Sequence, residues 1–138
     1  MKKISLIAVL MSTMLYSCKK DDEKCELSQS AFVGSYKVTA LKYKASTSTP
    51  EIDEFALLPA CEKDDVITFN SNGSSTYTDA GTVCVPDGTY TGTWNLTGST
   101  IVSDGEIGTV TYFDCNGTTI TFAGTSVGEL TTVSLARQ

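Results

Sequence analysis

From Ala31 onward the chain alternates apolar and polar residues in short segments rich in Thr, Val, Ile, Tyr and Gly, each bounded by turn residues. A period of two is the mark of a strand with one buried face, and strands are predicted near 31–44, 65–71, 74–79, 89–97, 99–103, 107–114, 118–124 and 128–137. Asn72-Gly73 and Asn116-Gly117 predict type I′ hairpins, since such a turn needs positive φ at both central positions, and Thr97-Gly98 predicts a third hairpin. Alternation gathers Phe32, Gly34, Tyr36 and Val38 on one face of the first strand and Tyr90, Gly92, Trp94 and Leu96 on one face of the fourth. Trp94 is therefore expected to point inward beside Tyr90 and Tyr36. Eight consecutive strands joined mostly by tight hairpins predict an all-β fold, an eight-stranded antiparallel up-and-down barrel that leaves no exposed edge, with a two-sheet β-sandwich as the alternative. One helix is predicted over 49–59, capped by Thr49, with Pro50 in its first turn and Pro59 ending it. Ile52, Phe55 and Leu58 would share a face and lay it across a barrel end as a lid; an irregular loop is the alternative.

The apolar run Ile4 to Tyr16 follows Lys2 and Lys3 and falls short of the ~20 residues needed to cross a bilayer, so residues 1–17 read as a targeting segment. It ends in Leu15-Tyr16-Ser17-Cys18, which resembles the lipobox of bacterial lipoprotein signal peptides, with Tyr16 larger than the residue usual there. That resemblance implies cleavage before Cys18, acylation of Cys18 and a membrane partner reached through an N-terminal lipid anchor. Residues 18–30 then form a charged tether, and 31–138 the barrel domain. Lys20-Asp21-Asp22, just behind the cysteine, is similar to the lipoprotein export signal of Bacteroidetes, which implies a lipid-anchored outer-membrane protein exposed at the cell surface.

Without Lys2 and Lys3, eight Lys and Arg stand against sixteen Asp and Glu, a balance that removes the electrostatic basis for binding nucleic acid. With Cys18 assigned to the lipid, Cys25, Cys61, Cys84 and Cys115 form an even set that reads as two disulfides in an exported chain, with three connectivities open. No C-x2-C pair and no histidine is present, which argues against zinc. Asp64-Asp65, with Asp79, Asp87 and Asp114 in nearby turns, invites a calcium reading, but the calcium-loop pattern is missing and turn capping explains the acids better, so no metal and no cofactor is expected. Lack of histidine also removes Ser-His and Cys-His pairs, and most of the acids fall in turns or the tether instead of on facing interior positions, so an enzyme is not expected.

Phe32-Val33-Gly34-Ser35-Tyr36 is similar to the Gly-x-Trp signature of lipocalins, with Tyr36 in place of the tryptophan. The resemblance implies that Gly34, Tyr36 and Arg137, the only arginine, close one barrel end, the guanidinium stacking over the aromatic face. Cys61 to Phe69, Asn72-Gly73, Asp79 to Cys84 and Gly92 to Leu96 look like the lipocalin-like domain of many Bacteroidetes lipoproteins, over residues ~31–137. This implies pairing of Cys61 with Cys84, leaving Cys25 with Cys115. Those motifs specify fold more than activity; the first expectation for such a barrel is a monomeric binding module for a small, partly apolar ligand, and alternation nominates Tyr36, Tyr90 and Trp94 as lining, with Phe55 and Leu58 gating the mouth. The alternative is a filled-core interaction or inhibitor protein acting through its loops; a continuous cavity of ~300 Å³ or more favours the ligand, and a side-chain-filled interior favours the loops.

Overall fold

The computed structural model describes residues 25–138; the targeting segment expected over 1–17, the expected lipidation site Cys18 and the charged run behind it lie outside the described residues. Ser28 accepts a hydrogen bond from the Ala31 N–H at 3.1 Å and so caps a single helical turn, α1 (Gln29–Phe32). The first strand, β1 (Gly34–Lys44), thus starts three residues later than alternation suggests. The other strands are β2 (Ile52–Asp53), β3 (Val66–Phe69), β4 (Ser74–Thr78), β5 (Tyr90–Thr97), β6 (Thr100–Ser103), β7 (Glu106–Asp114), β8 (Gly117–Ala123) and β9 (Leu130–Arg137). Each of β3 to β8 pairs antiparallel with the next, β1 pairs with β3, and β1 also pairs with β9 from Tyr36↔Arg137 to Lys44↔Leu130. That last ladder closes an eight-stranded barrel and rules out the two-sheet sandwich. The two-residue β2 lies outside the cycle, covering β1 at Lys42 and Tyr43 where β3 has ended.

Hairpins 70–73, 98–99 and 115–116 gather at one end of the barrel with the C-terminus of β9; the segments 79–89, 104–105 and 124–129 gather at the other. α1 crosses the first end and drives Phe32, fully buried, into the barrel axis. There it meets Phe69, Trp94, Tyr36 and Phe113 with ring centroids 5.1–5.8 Å apart. Trp94 and Leu96 point inward from β5, and Ile101, Val110, Ile120 and Leu135 complete the buried core. The indole N–H of Trp94 donates to the Asn70 carbonyl at 2.9 Å, so the buried ring leaves no polar atom unpaired.

Two bulges change which residues face inward. Register shifts between Val38 and Ala40 and between Val110 and Tyr112, so inward positions pass from even to odd numbers along both strands. Leu41 then lies opposite Val133, and Phe113 faces inward while Tyr112 is exposed.

The helix expected over 49–59 does not form. Thr49 closes a turn with Ser46, and β2 pairs where the helix would run. Asp53 rather than Thr49 caps the only turn that coils, α2 (Glu54–Leu57), accepting from the Ala56 N–H at 3.1 Å. The hairpins differ as well. Neither Asn72 nor Asn116 has positive φ; the side chains of Asn72 and Asp114 fold back on the two turns: Asn72 Oδ1 accepts from the Ser74 N–H, and Asp114 Oδ1 accepts from the Asn116 and Gly117 N–H groups. Positive φ at both central positions occurs instead at Asp104-Gly105, between β6 and β7 (φ 51° and 88°).

Candidate functional site

The two barrel ends are built differently. At the α1 end, the guanidinium of Arg137 lies 5.3 Å from the Tyr36 ring centroid and donates to the Tyr36 hydroxyl (2.9 Å) and to the carbonyls of Val33 (2.8 Å) and Ala31 (2.5 Å). Tyr36 in turn donates to the Phe32 carbonyl at 2.9 Å. Burial raises the Tyr36 pKa, and Arg137 opposes the rise. Gly34 adopts φ 152°, and a Cβ there would come within 3.2 Å of the guanidinium, so a side chain would press on this closure. Gly34, Tyr36 and Arg137 therefore meet at one sealed end.

Toward the opposite end the side chains separate around a cavity of about 120 Å³. Phe69, Ser75, Ile101, Ile120 and Leu135 form its buried floor, while Ile67, Tyr77, Tyr90, Ser103, Asp104, Phe122 and Val133 form its wall and mouth. Tyr77 and Tyr90 are directly paired across β4 and β5, and their rings stack at 5.3 Å with an interplanar angle of 15°. Tyr77 donates its hydroxyl to Asp65 Oδ2 at 2.5 Å; burial and then this bond push its pKa well above the ordinary tyrosine range, which keeps it protonated. Gly92, between Tyr90 and Trp94 on the inward face of β5, leaves a gap. The Asp104 carboxylate fills it, standing where a Gly92 Cβ would be, and accepts from the Thr93 N–H at 2.7 Å.

The acids near the mouth serve the backbone. Asp64 accepts from the Thr82 N–H, Asp65 from the Ala80 N–H, and Asp79 from the Cys84 and Gly88 N–H groups, all at 3.0–3.2 Å. With the Cys61–Cys84 disulfide they pin the 79–89 segment beside the mouth. Asp87 and Asp114 cap their own turns, at the Thr89 and the Asn116 and Gly117 N–H groups. Among the described residues no three His, Cys, Asp or Glu side chains are grouped to hold a metal.

Of the residues nominated as lining, only Tyr90 is in the cavity wall. Tyr36 and Trp94 lie deeper, in the aromatic plug, because α1 inserts Phe32 among them and fills the space a ligand would need. Phe55 and Leu58 are not in the lining: α2 packs on β1, and Phe55 sits under Lys63, whose Nζ is 5.7 Å from the ring centroid. Sequence reasoning missed Tyr77 and Asp104. Two signals were available for Asp104, namely the Asp-Gly dipeptide between two strands and an inward glycine at 92 with room for a neighbour's side chain. The second disulfide joins Cys25 to Cys115 and ties the start of the domain to the sealed end.

A family model described as a lipocalin-like domain matches residues 32–122, from the plug residue Phe32 into β8. No curated protein and no solved structure gives a significant match.

Proposed function

The chain belongs to the lipocalin-like domain family, and from that premise we propose that it is a small-ligand-binding protein whose site is the cavity at the open barrel end. Such domains generally bind ligands rather than catalyse. One observation carries the reading: a closed barrel sealed at one end by packed aromatics keeps an apolar cavity at the other. Its volume, about 120 Å³, falls short of the ~300 Å³ expected of a cavity for a drug-sized ligand, and it is close to the ~150 Å³ that accommodates benzene in an engineered core. The occupant is accordingly one ring or the short apolar end of a longer molecule. We read the protein as a binder and not an enzyme, because the chain has no histidine and the cavity presents one carboxylate, Asp104, without a facing partner.

We further propose that Cys18 carries the lipid anchor and that the protein sits at the outer-membrane surface, supported by the lipobox-like Leu15 to Cys18 and the Lys20-Asp21-Asp22 run. From Cys18 to Cys25 the chain reaches at most about 25 Å, and the Cys25–Cys115 bridge belongs to the sealed end. An anchor at Cys18 would thus hold the sealed end toward the bilayer and turn the mouth away from it.

A second reading, interaction through the loops, has one observation behind it. The large apolar side chains exposed among the described residues, Tyr112 excepted, all lie on open-end elements, with Val85 98%, Val127 88% and Leu57 75% exposed. Profiling the small molecules that co-purify with the full protein from envelopes distinguishes the two readings. A small apolar compound retained by the wild type and lost in Ser75→Leu, which fills the cavity floor, is expected; equal retention, or none in either, contradicts the ligand-binding reading.

A further inference from the structure

The inward face of β5 offers the cavity no side chain at Gly92, and the carboxylate that takes its place comes from the hairpin between β6 and β7. Asp104 is the only described non-glycine residue with positive φ, 51°, and the Asp-Gly turn together with the Thr93 N–H at 2.7 Å on Oδ1 fixes where its side chain points. No donor among the described residues reaches Oδ2. The lining contains neither lysine nor arginine, so nothing in it balances this charge. Beside it, two residues along the inward face of β5 and across to β4, stand the stacked rings of Tyr90 and Tyr77, whose faces attract cations.

Resting on the ligand-binding reading above, we propose that the cavity takes a small apolar molecule bearing a protonated amine, its apolar body on the Ile101 and Ile120 floor and its ammonium at Asp104. A carboxylate ligand is disfavoured on the same grounds: it would bring a second anion to a mouth with no counter-charge, in a chain of net charge −6. An uncharged ligand of the same shape would gain the apolar contacts alone.

Three probes of one size separate these cases: benzylamine, benzyl alcohol and benzoate, titrated at neutral pH and low salt into the wild type and Asp104→Asn and followed by calorimetry. Asn tolerates positive φ, and its carbonyl oxygen can accept from the Thr93 N–H, so the turn is kept. The amine should bind about fivefold tighter than the alcohol, the upper end for an ion pair open to solvent, and benzoate should bind weakest. In Asp104→Asn the amine preference should vanish while the affinity for the alcohol stays. Benzoate binding as tightly as the alcohol, or an amine preference that survives in Asp104→Asn, overturns the proposal. Binding of the alcohol without any preference for the amine overturns it and leaves the ligand-binding reading standing, whereas failure of both alcohol and amine to bind overturns both.

Discussion

The sealed and open ends of this barrel use the same residue types to opposite effect. At the sealed end Phe32, Tyr36, Phe69 and Trp94 are buried, and the polar tips of Tyr36, Trp94 and Arg137 all have partners inside the fold. At the open end Tyr90 is 54% exposed, Ile107 and Val83 face solvent, and Asp104 carries a charge with no counter-ion in the lining. The strands run through both ends, so the difference does not come from the sheet. It comes from what is laid over each end: α1 supplies an aromatic plug to one, and backbone segments held by Asp64, Asp65, Asp79 and a disulfide frame the other without filling it. The aromatic packing is concentrated at one end, and the other keeps a cavity.

The contrast is broken most directly by a pair of truncations. Trp94→Ala should cost ~3–5 kcal/mol because it empties the plug, whereas Tyr90→Ala, at a half-exposed position, should cost less than ~1 kcal/mol. Denaturant melts of the protein with Cys18→Ser, to prevent stray oxidation, measure both. Equal costs would mean that the two ends share the core and that the division drawn here is wrong.

Much of this contrast was legible in the residues before the structure. Alternation along β5 put Trp94 and Leu96 inside, and the structure buries both. Alternation carries no depth, however, so it grouped Tyr90 at the mouth with Trp94 and Tyr36 in the plug. Nor does it register a bulge: Thr39 and Thr111 look like ordinary strand residues, yet past them the inward side changes. The segment 49–59 has good helix-start chemistry, but pairing with β1 is a tertiary contact that local propensity does not contain. Cysteine arithmetic left three connectivities open; the family resemblance alone singled out the two bridges found. Asp104 went unseen for a related reason, since its place in the cavity depends on the absence of a side chain twelve residues earlier, at Gly92.

A smaller effect sharpens the picture of the open-end segments. Asp87 and Glu129 have lowered pKa values, chiefly because their carboxylates accept from the Thr89 and Ser126 N–H groups. A lowered folded pKa means a contribution present above the ordinary values of 3.8 and 4.5 and lost as pH falls through the lower folded ones. The amide resonances of Thr89 and Ser126 should therefore titrate with midpoints below 3.8 and 4.5 respectively. Midpoints at or above those values would mean that the turns are not held by their acids.

If the protein binds as proposed, binding belongs to the open end and the sealed end is structural. Amide and methyl shift mapping of the wild-type protein during titration with benzyl alcohol tests it in one experiment. The expected result is saturable shifts at Ile67, Ile101, Ile120, Phe122 and Val133, with Phe32, Val33 and Arg137 unmoved; shifts centred on the plug, or none that saturate, would contradict it.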